Sequence, residues 1–341
     1  MPRETIEPEE VKFVAREYSL RRPIEVIHIS RGSRAIAKAH LRSVDGDWMV
    51  KRRPESAASG LELVHAFQGR LGREGVPVAS LRENSDGATV TVHAGRAYEL
   101  FGWVSGTRGG FTEVEAAAAG VAVGSLLRVG ATYGASDPSF ADPSHPRGVL
   151  GLDVDRLVQW IVASHAGTDA DELGAVLRSV VGRGRRAYDA AESIGIADAP
   201  RAFVHGDLHA GNMLFADGRL AAILDFDNAR HDLRVREVAT AALSIGSEPR
   251  DSRIPSDWRH EQNLSRTSVF LAGAREGLGG ARHDAERRAL PWLMIEVCIT
   301  EALERISAAG CFDQHAAADF LDFVDRKTGW IERHAVDIAA P

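Results

Sequence analysis

The sequence predicts an α+β protein in two lobes: a small strand-rich lobe over residues 1–104 and a larger helical lobe over residues 105–341. Three observations carry this. Up to Ser105 the chain consists of short β-capable runs, broken by turn signals, around one amphipathic stretch. Beyond it, helical spacing dominates. The strand pattern then returns once, over residues 203–227.

In the first lobe, residues 24–29 and 35–41 are β-capable and flank the turn Ser30-Arg31-Gly32-Ser33. Asp45-Gly46-Asp47 is a hairpin signal, and residues 48–51 resume the extended run. Leu61, Val64, Phe67 and Leu71 fall at helical spacing, which predicts a helix over 59–72 that Gly75-Val76-Pro77 stops. Residues 89–93 and 96–104 form a strand pair around Ala94-Gly95. In the second lobe, Thr112 and the acidic Glu113 and Glu115 open an Ala-rich helix over 112–129. Residues 130–148, rich in Gly, Pro, Ser and Asp, are expected to form a loop. Helices follow over 153–165, 169–182 and 185–193. The late strands turn at Asp217-Gly218, and helices resume to the C-terminus.

The chain's 341 residues suit about two domains of roughly 150 residues each. The net charge of −7 argues against a nucleic-acid partner, whose readers carry basic patches. Cys298 and Cys311 are too few for a disulfide framework and suit a reducing cytosol. The start, Met1-Pro2-Arg3-Glu4-Thr5, lacks the basic and apolar segments of a signal peptide. The most apolar stretch, 116–124, is far shorter than the ~20 residues of a membrane span. A cytoplasmic protein acting away from membranes is expected.

The chemistry concentrates in His205-Gly206-Asp207-Leu208-His209-Ala210-Gly211-Asn212, followed by a short apolar hairpin and Asp225-Phe226-Asp227. Phosphoryl transfer needs a carboxylate at the acceptor hydroxyl and oxygen ligands for the metal that neutralises the phosphates. Kinase catalytic loops place four residues between the base Asp and the metal-binding Asn, the spacing of Asp207 and Asn212. Asp225 stands where a second metal-binding Asp follows the hairpin. Asn212 and Asp225 are oxygen donors suited to a hard cation such as Mg²⁺.

This segment resembles the signature of the aminoglycoside phosphotransferase and choline kinase group, which includes type II homoserine kinases and has a protein-kinase-like fold. The resemblance implies that Asp207 is the catalytic base, that Asn212 and Asp225 hold Mg²⁺, and that His205 braces the loop. Asp227 is a weaker candidate. Glu237 stands where the group usually has an Asp at a helix start. The cofactors implied are ATP and Mg²⁺, and the partner is a small-molecule hydroxyl substrate.

On the nucleotide side, Lys51 at a strand end resembles the kinase lysine that contacts the α- and β-phosphates. Gly32 and Ser33 stand where the group has its nucleotide-positioning loop. Phe101, Gly102 and Val104 lie where the last strand passes into the hinge, with adenine expected on the backbone near Gly102 and Val104 and Phe101 behind it. Tyr98 and Trp103 read equally as core aromatics. Lys51 should pair with a helix carboxylate, for which Glu62 is the nearest fit, although it reads equally as a solvated helix residue. Acceptor-side candidates are Asp227, Asp232, Glu296, Glu301 and Trp292, each of which also reads as surface charge or core filling. Amino sugars, aminoglycosides, homoserine and choline-like alcohols are all open as acceptors. Two rivals stand beside this: a kinase fold that binds nucleotide without turnover, and a zinc hydrolase using the alternating His205, Asp207 and His209.

Overall fold

A computed structural model describes residues 4–22, 24–29, 36–109, 112–133, 146–248, 252–280 and 283–340. The chain separates into two compact units, one of residues 1–108 and 213–227, the other of 109–212 and 228–341.

The first unit opens with α1 (Pro8–Glu17), a helix the sequence reading missed. Pro8 at its start and the reciprocal Glu7–Glu10 capping box supply its N-terminal signal. The sheet strands are β1 (Glu25–His28), β2 (Ala37–Ser43), β3 (Gly46–Pro54), β4 (Val90–His93) and β5 (Arg96–Gly102), with α2 (Leu61–Arg73) between β3 and β4. They form one antiparallel sheet in the order β1-β2-β3-β5-β4. Strand alternation then decides which side chains share a face. Ala39 and Leu41 of β2, Val50 of β3 and Leu100 of β5 pack in one core with Val14 and Tyr18 at the α1 end. The alternate set, Lys38, Lys51 and Glu99, lies on the opposite face, because Lys38 pairs with Lys51 and Lys51 with Glu99 in register.

The late hairpin, β8 (Met213–Ala216) and β9 (Arg219–Ile223), belongs to this first unit instead of the helical one, which corrects the boundary at 104. The cause is strand pairing. Thr107 and Arg108, which form β6 (Thr107–Arg108), pair with β8, and Val78 bridges to Ile223.

The second unit contains α3 (Glu113–Gly130), α4 (Pro146–Leu150), α5 (Val154–Ser164), α6 (Ala170–Ser193), α7 (Arg234–Gly246), α8 (Leu264–Gly277), α9 (Asp284–Ala309) and α10 (Ala317–Arg333). A two-stranded sheet pairs β7 (Arg201–Val204) with β10 (Arg230–Leu233), the latter unanticipated from sequence. Thr112 caps α3 in a box with Glu115. Helices α3 and α8 meet almost backbone to backbone: a Cβ on Gly124 would lie 2.1 Å from the Ala274 carbonyl oxygen. One continuous α6 replaces the two helices expected over 169–182 and 185–193. Gly184 is there for a close approach, since a Cβ would lie 2.6 Å from a Leu150 methyl, and it does not end the helix. Among the described residues no helix is long and apolar enough to cross a membrane.

Candidate active site

In the second unit, β7 delivers the chain into a tight loop at 205–209 followed by a single turn of 3₁₀ helix, Ala210–Asn212. Gly206 has φ +81°, and a Cβ there would lie 2.0 Å from the Asn228 carbonyl oxygen, so only glycine fits. The loop is held from several sides. Gly206 N–H donates to Glu237 Oε2 of α7 at 3.0 Å, and Ala210 N–H donates to Ser244 Oγ at 2.8 Å. Arg230 Nη1 donates to the Gly206 carbonyl at 3.0 Å. His205, fully buried, accepts from Asp207 N–H through Nδ1 at 3.3 Å.

These bonds fix the backbone and leave the Asp207 carboxylate free. It accepts no hydrogen bond among the described residues, its side chain is 42% exposed, and His209 Nε2 stands 3.8 Å away. Asn212, itself buried, donates Nδ2 to the Asp207 carbonyl at 2.9 Å, and its Oδ1 has no hydrogen bond among the described residues. Glu237 is buried, and burial pushes its pKa up to about 7 against the opposing Gly206 hydrogen bond. Its second oxygen, Oε1, has no hydrogen-bond partner among the described residues.

In the first unit, the charged face of the sheet carries a dense ionic network. Lys51 Nζ lies 2.7 Å from Asp225 Oδ1 and 2.5 Å from Asp227 Oδ2. Lys38 Nζ takes the other oxygen of Asp225 at 3.0 Å. Arg53 bridges Asp227 (2.9 Å) and Glu99 (2.8 Å), and His65 of α2 meets the second Glu99 oxygen at 3.0 Å. Burial alone would raise the pKa of Asp225, but the charges of Lys51 and then Lys38 outweigh it and hold the carboxyl well below its usual range. Asp225 also sits at φ +66°, a left-handed conformation uncommon for a non-glycine residue.

Lys51 and Asp225 are thus brought together, and Asp227 joins them more closely than its weak sequence signal suggests. Glu62 is not the partner of Lys51. It is exposed, off the buried stripe of Leu61, Val64, His65, Gln68 and Leu71, and has no ion pair among the described residues. The buried carboxylate facing that strand is Glu99, and the residue α2 contributes is His65. The sequence reading missed Lys38, Arg53, His65 and Glu99. A signal existed for Glu99, an acidic residue inside the apolar run Tyr98-Glu99-Leu100-Phe101.

Gly32 and Ser33 lie outside the described residues. Phe101 is buried, with its ring edge-on to His65 at 6.0 Å. Gly102 N–H is spent on the Ser80 carbonyl at 2.8 Å, so it cannot serve adenine as expected. Val104 keeps both backbone groups unpartnered among the described residues. On the acceptor side, Asp232 and Glu296 are buried around Arg236, at 3.4 and 3.1 Å, which makes them structural. Glu301 is a surface partner of Arg305. Trp292 of α9 is partly buried. Residues 205–209 form a turn instead of a strand, and among the described residues no three His, Cys, Asp or Glu side chains cluster to hold a metal, so zinc ligation finds no support.

The phosphotransferase enzyme family (APH) matches over residues 32–275, most of the chain, and the chain belongs to that family. No curated protein sequence matches it. Among solved structures, the chain is similar to a microcompartment-associated aminopropanol kinase, with TM-score 0.67, 15% identity, and 98% of this chain and 99% of that one covered. It is similar to the amicoumacin kinase hAmiN, solved with AMP-PNP, Ca²⁺ and Ami, with TM-score 0.66, 15% identity and coverage of 95% and 93%. It is also similar to spectinomycin phosphotransferase APH(9)-Ia, solved with ADP and spectinomycin, with TM-score 0.64, 12% identity and coverage of 97% and 100%. The fold is kinase-like: an antiparallel-sheet N-terminal region and a larger helical part.

Proposed function

We propose that the chain transfers the γ-phosphate of ATP, with Mg²⁺, to a hydroxyl of a small molecule such as an amino sugar, an aminoglycoside, homoserine or a choline-like alcohol. The observation that carries this reading is Asp207, an exposed carboxylate with no hydrogen bond among the described residues, on a loop otherwise fixed at its backbone. A group so placed can accept the proton of the acceptor hydroxyl as its oxygen attacks phosphorus.

The donor chemistry suits Mg²⁺: Asn212 keeps its amide oxygen free, and Asp225 stays ionised. By the resemblance these two residues hold the ion, whose charge would offset that of the phosphates. Lys51 would contact the polyphosphate, and the unpartnered Val104 backbone would pair with the adenine edge, with Phe101 behind the ring. An ADP-release screen over hydroxylated metabolites and antibiotics, run on the wild type and on Asp207→Asn, tests the reading. ADP release that requires an acceptor and disappears in the variant supports it. A chain that binds Mg·ATP but phosphorylates nothing in the panel favours the idle nucleotide-binding alternative.

A further inference from the structure

The charged face of the first unit holds three cations, Lys38, Lys51 and Arg53, against three carboxylates, Asp225, Asp227 and Glu99. The partners are shared unequally. Arg53 holds both Asp227 and Glu99. Lys51 holds Asp225 and Asp227, with its register partner Glu99 adding a favourable charge. Lys38 has one partner among the described residues, Asp225, and its side chain is only 13% exposed.

This asymmetry matters once Asp225 is given to a metal ion, as the proposed function requires. Lys51 and Arg53 then keep carboxylates. Lys38, opposite Lys51 in the β2–β3 register, keeps none among the described residues. A largely buried ammonium left without an anion is costly, and a new counter-charge relieves that cost. The polyphosphate that accompanies the metal supplies one. We propose that Lys38 is a second polyphosphate-binding lysine, docked on Asp225 until a metal–nucleotide complex takes the carboxylate and offers phosphate in exchange. The inference rests on the proposed function. It adds that Lys38 competes with metal in the nucleotide-free protein and assists binding once nucleotide is present.

Calorimetric titration of Mg·ADP, of adenosine and of Mn²⁺ alone into the wild type, Lys38→Met, Lys38→Gln and Lys51→Met tests this. Lys38→Gln can still hydrogen-bond Asp225, so it serves if the Met variant folds poorly. Loss of a charge-assisted phosphate contact should weaken Mg·ADP roughly ten- to hundred-fold in either Lys38 variant. Adenosine affinity should not change, and Mn²⁺ alone should bind more tightly than to the wild type. Opposite shifts for Mn²⁺ and Mg·ADP cannot come from general damage to the sheet. Lys38 variants that bind Mg·ADP within two-fold of the wild type, lose adenosine in parallel, or bind Mn²⁺ more weakly overturn the assignment. If the wild type binds no Mg·ADP, or Lys51→Met costs it nothing, the proposed function fails as well. Normal behaviour of both with silent Lys38 variants sinks this inference alone.

Discussion

Glu237→Gln isolates the buried carboxylate that ties α7 to the loop at 205–209. Glu237 Oε2 accepts from Gly206 N–H at 3.0 Å, and burial raises its pKa from 4.5 to about 7. An unfolded chain releases this proton near 4.5, so between there and about 7 the folded state binds more protons than the unfolded state. Stability contributed by the protonated group is therefore complete below about 4.5 and is lost as pH rises through about 7. At about 1.4 kcal/mol per pKa unit the swing is on the order of 3 kcal/mol. Glutamine can accept the same hydrogen bond but cannot ionise, so the variant lacks this slope.

The measurement is chemical denaturation of the wild type and Glu237→Gln from about pH 4.5 to about pH 8 at fixed ionic strength. Taking the difference between the two proteins cancels the other titrating groups. The variant should gain roughly 3 kcal/mol relative to the wild type across that range, most of it by about pH 7. A stability difference that stays flat with pH, or a variant that loses ground as pH rises, would refute the reasoning, because it would mean that Glu237 is ionised throughout.

Asp207→Asn should lower kcat by about 10²–10⁴-fold, the usual scale of general-base loss, with thermal melting unchanged because the side chain is exposed and unbonded. Asp225→Ala should abolish the metal dependence of nucleotide binding. Affinity in the variant that still responds to EDTA would remove Asp225 from the metal role. Gly206→Ala must leave φ +81° or displace the Asn228 carbonyl, so a loss of at least about 1–3 kcal/mol is expected, and a variant that melts like the wild type would show that the loop adapts. Gly124→Ala, whose Cβ would lie 2.1 Å from the Ala274 carbonyl oxygen, should force α3 from α8 and lower the melting temperature.

Local signals carried most of the fold into the sequence. Five sheet strands, α2 and the capped start of α3 each rest on periodicity, turns or caps within a few residues. Where such signals conflict with packing, the reading failed. The sequence reading ended one helix at 182 and opened another at 185, yet Gly184 sits inside α6 where Leu150 and Ile299 crowd it. The hairpin over 213–227 reads as part of the helical region because it follows the loop at 205–212 directly. Its strand bonds to Thr107 and Arg108 and the bridge to Val78 place it in the other unit, and no local pattern encodes them.

The site divides in the same way. Asp207, Asn212 and Asp225 stand out in the sequence because spacing around a loop and a hairpin is a local property, and Lys51 because it ends a strand. Their partners were not: Lys38 meets Asp225 across 187 residues of sequence, and Lys51 meets Asp227 across 176. Expecting a helix carboxylate for Lys51 led to Glu62, the one acidic residue in the first turn of α2. The register of β3 with β5 supplies the charge from Glu99 instead, and α2 answers with His65, whose ring can bond a carboxylate but cannot replace one. Counter-charge to Lys51 therefore comes from Asp225 and Asp227 beyond β9, with Glu99 of β5 beside it in register, and none of it is a carboxylate of α2. In a kinase whose lysine is paired to a helix, moving that helix can switch the site on or off. Here two carboxylates that follow β9 hold the charge, and under the proposed function metal and nucleotide at Asp225 would be what rearranges it.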